Sequence, residues 1–118
     1  MSIRVRKFEE KDMESMVSIW NEVVEEGVAY PQLDLLDEKT GPALFGRQTY
    51  CGVAEEMDSG EILGLYILHP NNVGRCGHIS NASYAVKSSA RGKHIGELLV
   101  KDSLVQGKSC GFRILQFN

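Results

Sequence analysis

The sequence lacks several features that would direct it to particular partners. It contains no apolar run of membrane-spanning length and no signal-peptide pattern at its start. It has only three cysteines, Cys51, Cys76 and Cys110, and their odd number and wide spacing fit neither a disulfide framework nor a zinc site. Positive charge is not in excess, because the formal net charge is −3 with acids and bases interspersed. We therefore expect a cytoplasmic protein with no membrane, nucleic-acid or metal partner.

Two common phosphate-binding motifs are also missing. There is no Walker Gly-Lys-Ser/Thr, and no Gly-x-Gly-x-x-Gly follows the first predicted strand. What is present is an ordinary globular composition, with 42% hydrophobic and 25% charged residues in 118. This length predicts a single domain over residues 1–118.

Hydrophobic periodicity predicts the order strand, helix, helix, three strands, helix, strand. The predicted strands are residues 3–8, 49–55, 61–68, 77–86 and 113–117. The predicted helices begin at a capping Asp12, near Asp37 and at Ile95, and they end at Gly27, around Gly41 or Gly46, and at Ser109 before Gly111. The residues expected to face the core are Ile3 and Val5 in the first strand, and Ile95, Leu98, Leu99, Leu104 and Val105 in the last helix. The order predicts an α+β fold whose mixed, mostly antiparallel sheet has its last two strands parallel.

The connection between the fourth strand and the last helix predicts an anion site. The first N–H groups of a helix have no intrahelical acceptor, and the helix dipole adds positive potential there. Arg91, Lys93 and His94 add side-chain charge beside these amides, while Gly92 and Gly96 let backbone and ligand approach closely. A phosphate or pyrophosphate is the ligand that such a turn favours.

The segment Arg91-Gly92-Lys93-His94-Ile95-Gly96 resembles the acyl-CoA-binding motif of the GNAT family of N-acetyltransferases, which reads Gln or Arg, two residues, Gly, one residue, Gly or Ala. His94 stands where the family usually has glycine. A residue with a Cβ can still offer its N–H to the ligand here if its φ angle stays negative, as the first turn of a helix requires, and the match at this position fails if a positive φ is needed. The element order also resembles the first two-thirds of the GNAT fold, so the resemblance covers essentially the whole chain.

The resemblance implies a place for each part of acetyl-CoA. The pyrophosphate would lie on the amides of residues 92–96. The pantetheine arm would pair with the backbone of Tyr84, Ala85 and Val86. The thioester would lie between the fourth and fifth strands, with Asn118 on its far side.

The resemblance further implies acetyl transfer to a small primary amine, and the residues offer several groups for that chemistry. The amine must lose a proton, because its pKa in water resembles the ~10.4 of lysine. His78 has a suitable intrinsic pKa for the base, and Asn81 would orient water or substrate. Glu22 and Glu26 are further candidate bases, acting through water, although an acidic solvated face is the simpler interpretation of that cluster.

GNAT proteins usually continue after the fifth strand with a helix and two more strands, and that helix commonly supplies a tyrosine acid. Because the sequence ends at Asn118, we expect a domain that lacks its C-terminal part, or a fold completed by a partner chain in a homodimer. Two other functions stay open. One is a CoA-binding or interaction module without catalysis, and the other is a nucleotide-phosphate binder.

Overall fold

The computed structural model describes residues 2–26, 35–70, 79–92, 94–111 and 114–117, with the backbone alone described at 70, 79–81 and 114–117. Its strands are β1 (Ile3–Lys7), β2 (Tyr50–Glu56), β3 (Ile62–Pro70), β4 (Ile79–Val86) and β5 (Ile114–Phe117). Its α-helices are α1 (Met13–Glu26), α2 (Thr40–Gly46) and α3 (Ile95–Ser109). Single 3₁₀ turns lie at Glu10–Asp12 and Ser88–Ala90. The predicted element order is confirmed.

The five strands form one sheet in the order β1-β2-β3-β4-β5. The first three pairings are antiparallel, and β4 pairs with β5 in parallel through the α3 crossover. This confirms the predicted mixed sheet and its parallel last pair. The β4–β5 pairs run from Ile79 opposite Ile114 to Ala82 opposite Phe117, while β4 itself continues to Val86.

Helices cover the two faces of this sheet, and strand alternation divides the core between them. The core on the α1 and α2 side includes Met16, Trp20, Phe45, Val53 and Leu65. Trp20 meets Phe45 edge to face, with ring centroids 5.9 Å apart. No helix within the described ranges is long and apolar enough to cross a membrane.

A row of three tyrosines lies under α3 on the other face. Tyr50, Tyr66 and Tyr84 stand on neighbouring strands, with successive ring centroids 6.0 and 6.1 Å apart. The hydroxyl of the fully buried Tyr66 donates to Asp102 Oδ2 of α3 at 2.5 Å, and the Tyr84 hydroxyl lies 2.7 Å from Ser103 Oγ. Burial, followed by the bond to Asp102, raises the pKa of Tyr66 far above its usual range. These bonds fix the rotation of α3 on the sheet.

The predicted inward face of α3 was partly wrong. Ile95 and Leu99 are buried as expected, but Leu104 and Val105 are 51% and 64% exposed. The helix instead turns a four-residue stripe of Ile95, Leu99, Ser103 and Gly107 toward the sheet. Small residues take the inward positions in the second half of this stripe, because there the helix lies close over the tyrosine row.

The start of α1 also differs from its prediction. Asp12 does not cap α1 but closes a 3₁₀ turn, and its carboxylate accepts a hydrogen bond from the Glu9 amide at 2.8 Å. The physical reason is Arg6, whose guanidinium donates to both carboxylate oxygens of Asp12, at 2.8 and 3.0 Å, and draws this side chain inward. Arg6 and Arg4 also bind Glu55, and the hydrogen bond from Arg6, with that from Arg4, lowers the pKa of Glu55 to about 2.

The second helix begins three residues after its expected start. Asp37 accepts hydrogen bonds from the amides of Lys39 and Thr40 at 2.8 and 2.7 Å, and α2 begins at Thr40. The Asp37 side chain therefore organises the turn that precedes the helix.

Candidate functional site

The connection from β4 to α3 is held in place by buried residues on both sides. Ala90, at the end of the 3₁₀ turn, is 1% exposed, and Ile95, at the start of α3, is also 1% exposed. Between them Gly92 and His94 lie on the surface. The structure thus presents a short exposed loop between two fixed points.

The φ angle of His94 does not meet the condition under which its N–H was expected to serve the ligand, because it is positive. Its φ is +62° and its ψ is +22°, which is the left-handed region, and Gly92 has φ +85°. The two left-handed residues reverse the chain, so that the His94 carbonyl accepts the first helical bond, from Leu98 N–H, at 3.2 Å. Histidine tolerates this region better than most residues with a Cβ, although glycine would adopt it without strain.

The first amides of α3 have no cap from the residue that begins the helix. His94 makes no side-chain capping hydrogen bond, and its imidazole is 83% exposed. An open cavity of about 340 Å³ lies over this end of the helix, lined by Val86, Arg91 and the residues from 94 to 97. A Cβ built on Gly96 meets nothing within 4 Å, so the protein's own packing does not require glycine there. The predicted anion site is open to solvent.

Arg91 and the predicted base Glu22 are engaged elsewhere in the structure. Arg91 Nη2 donates to both carboxylate oxygens of Glu26, at 2.9 and 2.8 Å. Glu22 accepts from the Ser88 amide at 2.6 Å and from the Ser88 hydroxyl at 3.0 Å. The acidic end of α1 is therefore bonded to the loop, which the solvated-face interpretation missed. The spacing of Glu22 and Glu26 by one helical turn indicated only that the two acids share one face of α1.

The other predicted site residues lie either in β4 or outside the residues that the structure describes. Tyr84 and Val86 pack on the α3 side of the sheet, and Ala85 packs on the α1 side. All three lie beyond Ala82, the last β4 residue that pairs with β5 among the residues that the structure describes. The remaining predicted residues, His78, Lys93 and Asn118, lie outside the described residues, and Asn81 is described by its backbone alone.

The side chains that the structure does describe offer no metal centre, since none of their His, Cys, Asp and Glu groups gather in threes. Burial raises the pKa of the Cys51 thiol to about 12, and its Sγ donates to the Phe45 carbonyl at 3.4 Å. Cys51 is thus a packing residue.

Comparison with known sequences places the fold among characterised proteins. The model of the Acetyltransferase (GNAT) family matches residues 13–118. N-acetyltransferase aca1 of Schizosaccharomyces pombe is 39% identical over 57 residues, which cover 48% of this chain and 27% of that protein. The match thus spans about a quarter of the length of this curated relative.

Solved structures agree with the family match. A GCN5-related N-acetyltransferase from Kribbella flavida is 30% identical, with a TM-score of 0.86 over 98% of this chain and 71% of its own. A phosphinothricin acetyltransferase from Sinorhizobium meliloti, solved with AcCoA, is 24% identical, with a TM-score of 0.90 over 99% of this chain and 65% of its own. Together with the strand, loop and helix described above, these matches show that the chain belongs to the GNAT acetyltransferase family.

Proposed function

We propose that this protein transfers an acetyl group from acetyl-CoA to a small primary amine. The observation that carries the proposal is the open loop at the start of α3, where uncapped amides line a cavity in a chain of the GNAT family. The Sinorhizobium structure, which contains AcCoA, shares this fold. A diphosphate is the group that best matches helix-terminal amides of this kind.

In this proposal the donor occupies the loop and the end of β4. The diphosphate accepts hydrogen bonds from amides of residues 92–96, with Lys93 as an added cation. The pantetheine arm is proposed to lie along Tyr84, Ala85 and Val86 at the end of β4, which is the pairing that the family resemblance implies. Asn118 is proposed on the far side of the thioester.

The reaction itself needs a proton acceptor and a donor for the oxyanion. The amine nitrogen attacks the thioester carbonyl, the C–N bond forms, and the C–S bond breaks with the electron pair leaving on sulfur. We propose His78 as the group that takes the amine proton, directly or through water, and Asn81 as the group that orients water or substrate. A backbone N–H of β4 is proposed to donate to the tetrahedral oxyanion. The released thiolate takes up the proton from solvent.

Calorimetric titration with CoA and acetyl-CoA, followed by thiol release over a panel of amines, tests the proposal. We expect binding of both cofactors and thiol release with at least one amine. Absence of heat at millimolar CoA would overturn it. Binding without thiol release would instead favour a CoA-binding module, and displacement by ATP but not by CoA would favour a nucleotide-phosphate binder.

A cytoplasmic location and a homodimer are parts of the same proposal. Sedimentation of the chain as a monomer at micromolar concentration would contradict the dimer while leaving the acetyl-transfer proposal intact.

A further inference from the structure

Two contacts join the last turn of α1 to the start of the exposed loop. Glu22 accepts from the Ser88 amide and hydroxyl at 2.6 and 3.0 Å. Glu26 accepts from Arg91 Nη2 at 2.9 and 2.8 Å. We refer to these two contacts together as the α1–loop tether.

The residues of the tether are spaced by about one turn both on α1 and on the 3₁₀ turn. Glu22 and Glu26 are four residues apart on an α-helix, so their side chains lie on one face. Ser88 and Arg91 are three residues apart across a 3₁₀ turn, where three residues complete one turn. Each acid therefore meets its own partner without distortion of either element, and the pair fixes both the position and the direction of the loop.

The pairing of Glu26 with Arg91 changes the charge that a bound anion would meet on this surface. Carboxylates near a bound diphosphate would repel it if they were unpaired. The Arg91 guanidinium, 47% exposed, neutralises Glu26, which is 34% exposed. In this arrangement the Arg91 guanidinium is bonded to α1, so the loop amides are left to meet the diphosphate.

We propose that Glu22, Glu26 and Arg91 are positioning residues, which hold the loop against α1 in the geometry that receives the diphosphate, and that Arg91 acts through Glu26 rather than as a phosphate ligand. The inference rests on the proposed function, and it assigns to the motif arginine a role different from direct contact. It also assigns Glu22 a role different from the predicted base.

The two possible roles of Arg91 predict opposite effects of Glu26→Gln on the affinity for CoA. If Arg91 is a phosphate ligand, Glu26→Gln frees it and removes a nearby negative charge, so CoA binds as well as before or more tightly. If the tether positions the loop, Glu26→Gln weakens CoA binding by about fivefold, the size expected from losing a partly exposed ion pair. Arg91→Met should then weaken CoA binding to a similar degree. The variant that carries both Glu26→Gln and Arg91→Met should bind CoA no more weakly than whichever single variant has the lower affinity.

The experiment measures CoA affinity by calorimetry for the intact chain and these three variants. Glu25→Gln is the matched control, because it removes one acid from the same turn on a different helix face and should leave the affinity unchanged. For the tether variants we expect the KM for acetyl-CoA to rise with kcat unchanged, and the urea midpoint to fall by no more than about 0.7 M, as expected from the loss of one partly exposed ion pair. Ser88→Ala should weaken binding as well, and Ser88→Thr, which keeps the hydroxyl, should restore it.

A second measurement on the same variants, the resonance arm of the experiment, needs no ligand. The ¹⁵N amide resonances of Gly92 and Gly96 should move in Glu26→Gln and stay in place in Glu25→Gln, because only the first releases the loop. Unmoved resonances, or an unchanged or higher affinity for CoA, would overturn the tether. Failure of the wild-type chain to bind CoA would overturn the proposed function, and the resonance arm would still decide the tether.

Discussion

Because His94 has a left-handed conformation, we expect glycine to be more stable than alanine at this position, which is the reverse of their usual order in a helix. In a helix interior, alanine is more favourable than glycine by about 1 kcal/mol. At φ +62°, a Cβ instead costs roughly 1–2 kcal/mol, and glycine avoids this cost. The extra freedom of glycine in the unfolded chain offsets about 0.4–1 kcal/mol of the gain. We therefore expect His94→Gly to be more stable than His94→Ala by about 0.5–1 kcal/mol.

The comparison of glycine with alanine isolates the backbone effect, because both substitutions remove the imidazole and its 3.6 Å contact with Glu97. The matched control is Lys101 in the same helix, where the side chain is 71% exposed and the backbone is helical. Lys101→Ala should exceed Lys101→Gly in stability by about 1 kcal/mol. The sign of the glycine–alanine difference should therefore be opposite at the two sites.

Urea unfolding followed by the fluorescence of Trp20 measures these differences. Trp20 is the single tryptophan and is 3% exposed, so its emission reports the loss of the core. The expected difference at position 94 corresponds to a midpoint shift of roughly 0.3–0.7 M urea. Equal stability of the two variants at position 94, or higher stability of His94→Ala, would refute the argument from backbone strain.

Three further outcomes are expected. Gly96→Leu should keep the urea midpoint, because a Cβ there meets nothing within 4 Å, yet should abolish the calorimetric signal with CoA by filling the space over the amides; retained binding would contradict the proposed site. Tyr66→Phe should lower the free energy of unfolding by about 1–3 kcal/mol in denaturant titrations, since the hydroxyl donates to the Asp102 carboxylate, and an unchanged value would show that this bond adds nothing. The pKa of Glu55 is lowered from 4.5 to about 2, so its pairing with Arg6 stabilises fully above about pH 4.5 and is lost as the pH falls toward 2. Acid titrations by circular dichroism should show a flatter loss of stability over that window in Glu55→Gln, and identical pH profiles would contradict the pairing.

Patterns within single elements predicted the fold well. The bounds of α3 and its C-terminal Gly111, which has φ +91°, agree with the sequence prediction, because helical spacing and a terminal glycine are local signals. The face of α3 was less predictable. Because Leu104 and Val105 are hydrophobic, we predicted that they face the sheet. In the structure Ser103 faces the sheet instead, because α3 lies close to Tyr66 and Tyr84.

Contacts between elements distant in the sequence were out of reach. Glu22 and Ser88 are 66 residues apart, and neither residue carries a signal of the other. The left-handed φ of His94 was also missed, because histidine in place of glycine suggests an ordinary helical turn. At the candidate site, the sequence thus predicted an exposed loop before a helix, while the bonds that Arg91 and Glu22 make are visible only in the three-dimensional structure.

The buried anchors at Ala90 and Ile95 carry a consequence for the thermodynamics of recognition. A surface loop of this length ordinarily loses conformational entropy when a ligand orders it. Here both ends are already immobilised in the same apolar cluster and the α1–loop tether holds Arg91 between them, so less freedom remains to be lost on complex formation. Association of a dinucleotide-like cofactor should accordingly proceed without a slow rearrangement step, and its rate should follow diffusion and ionic strength.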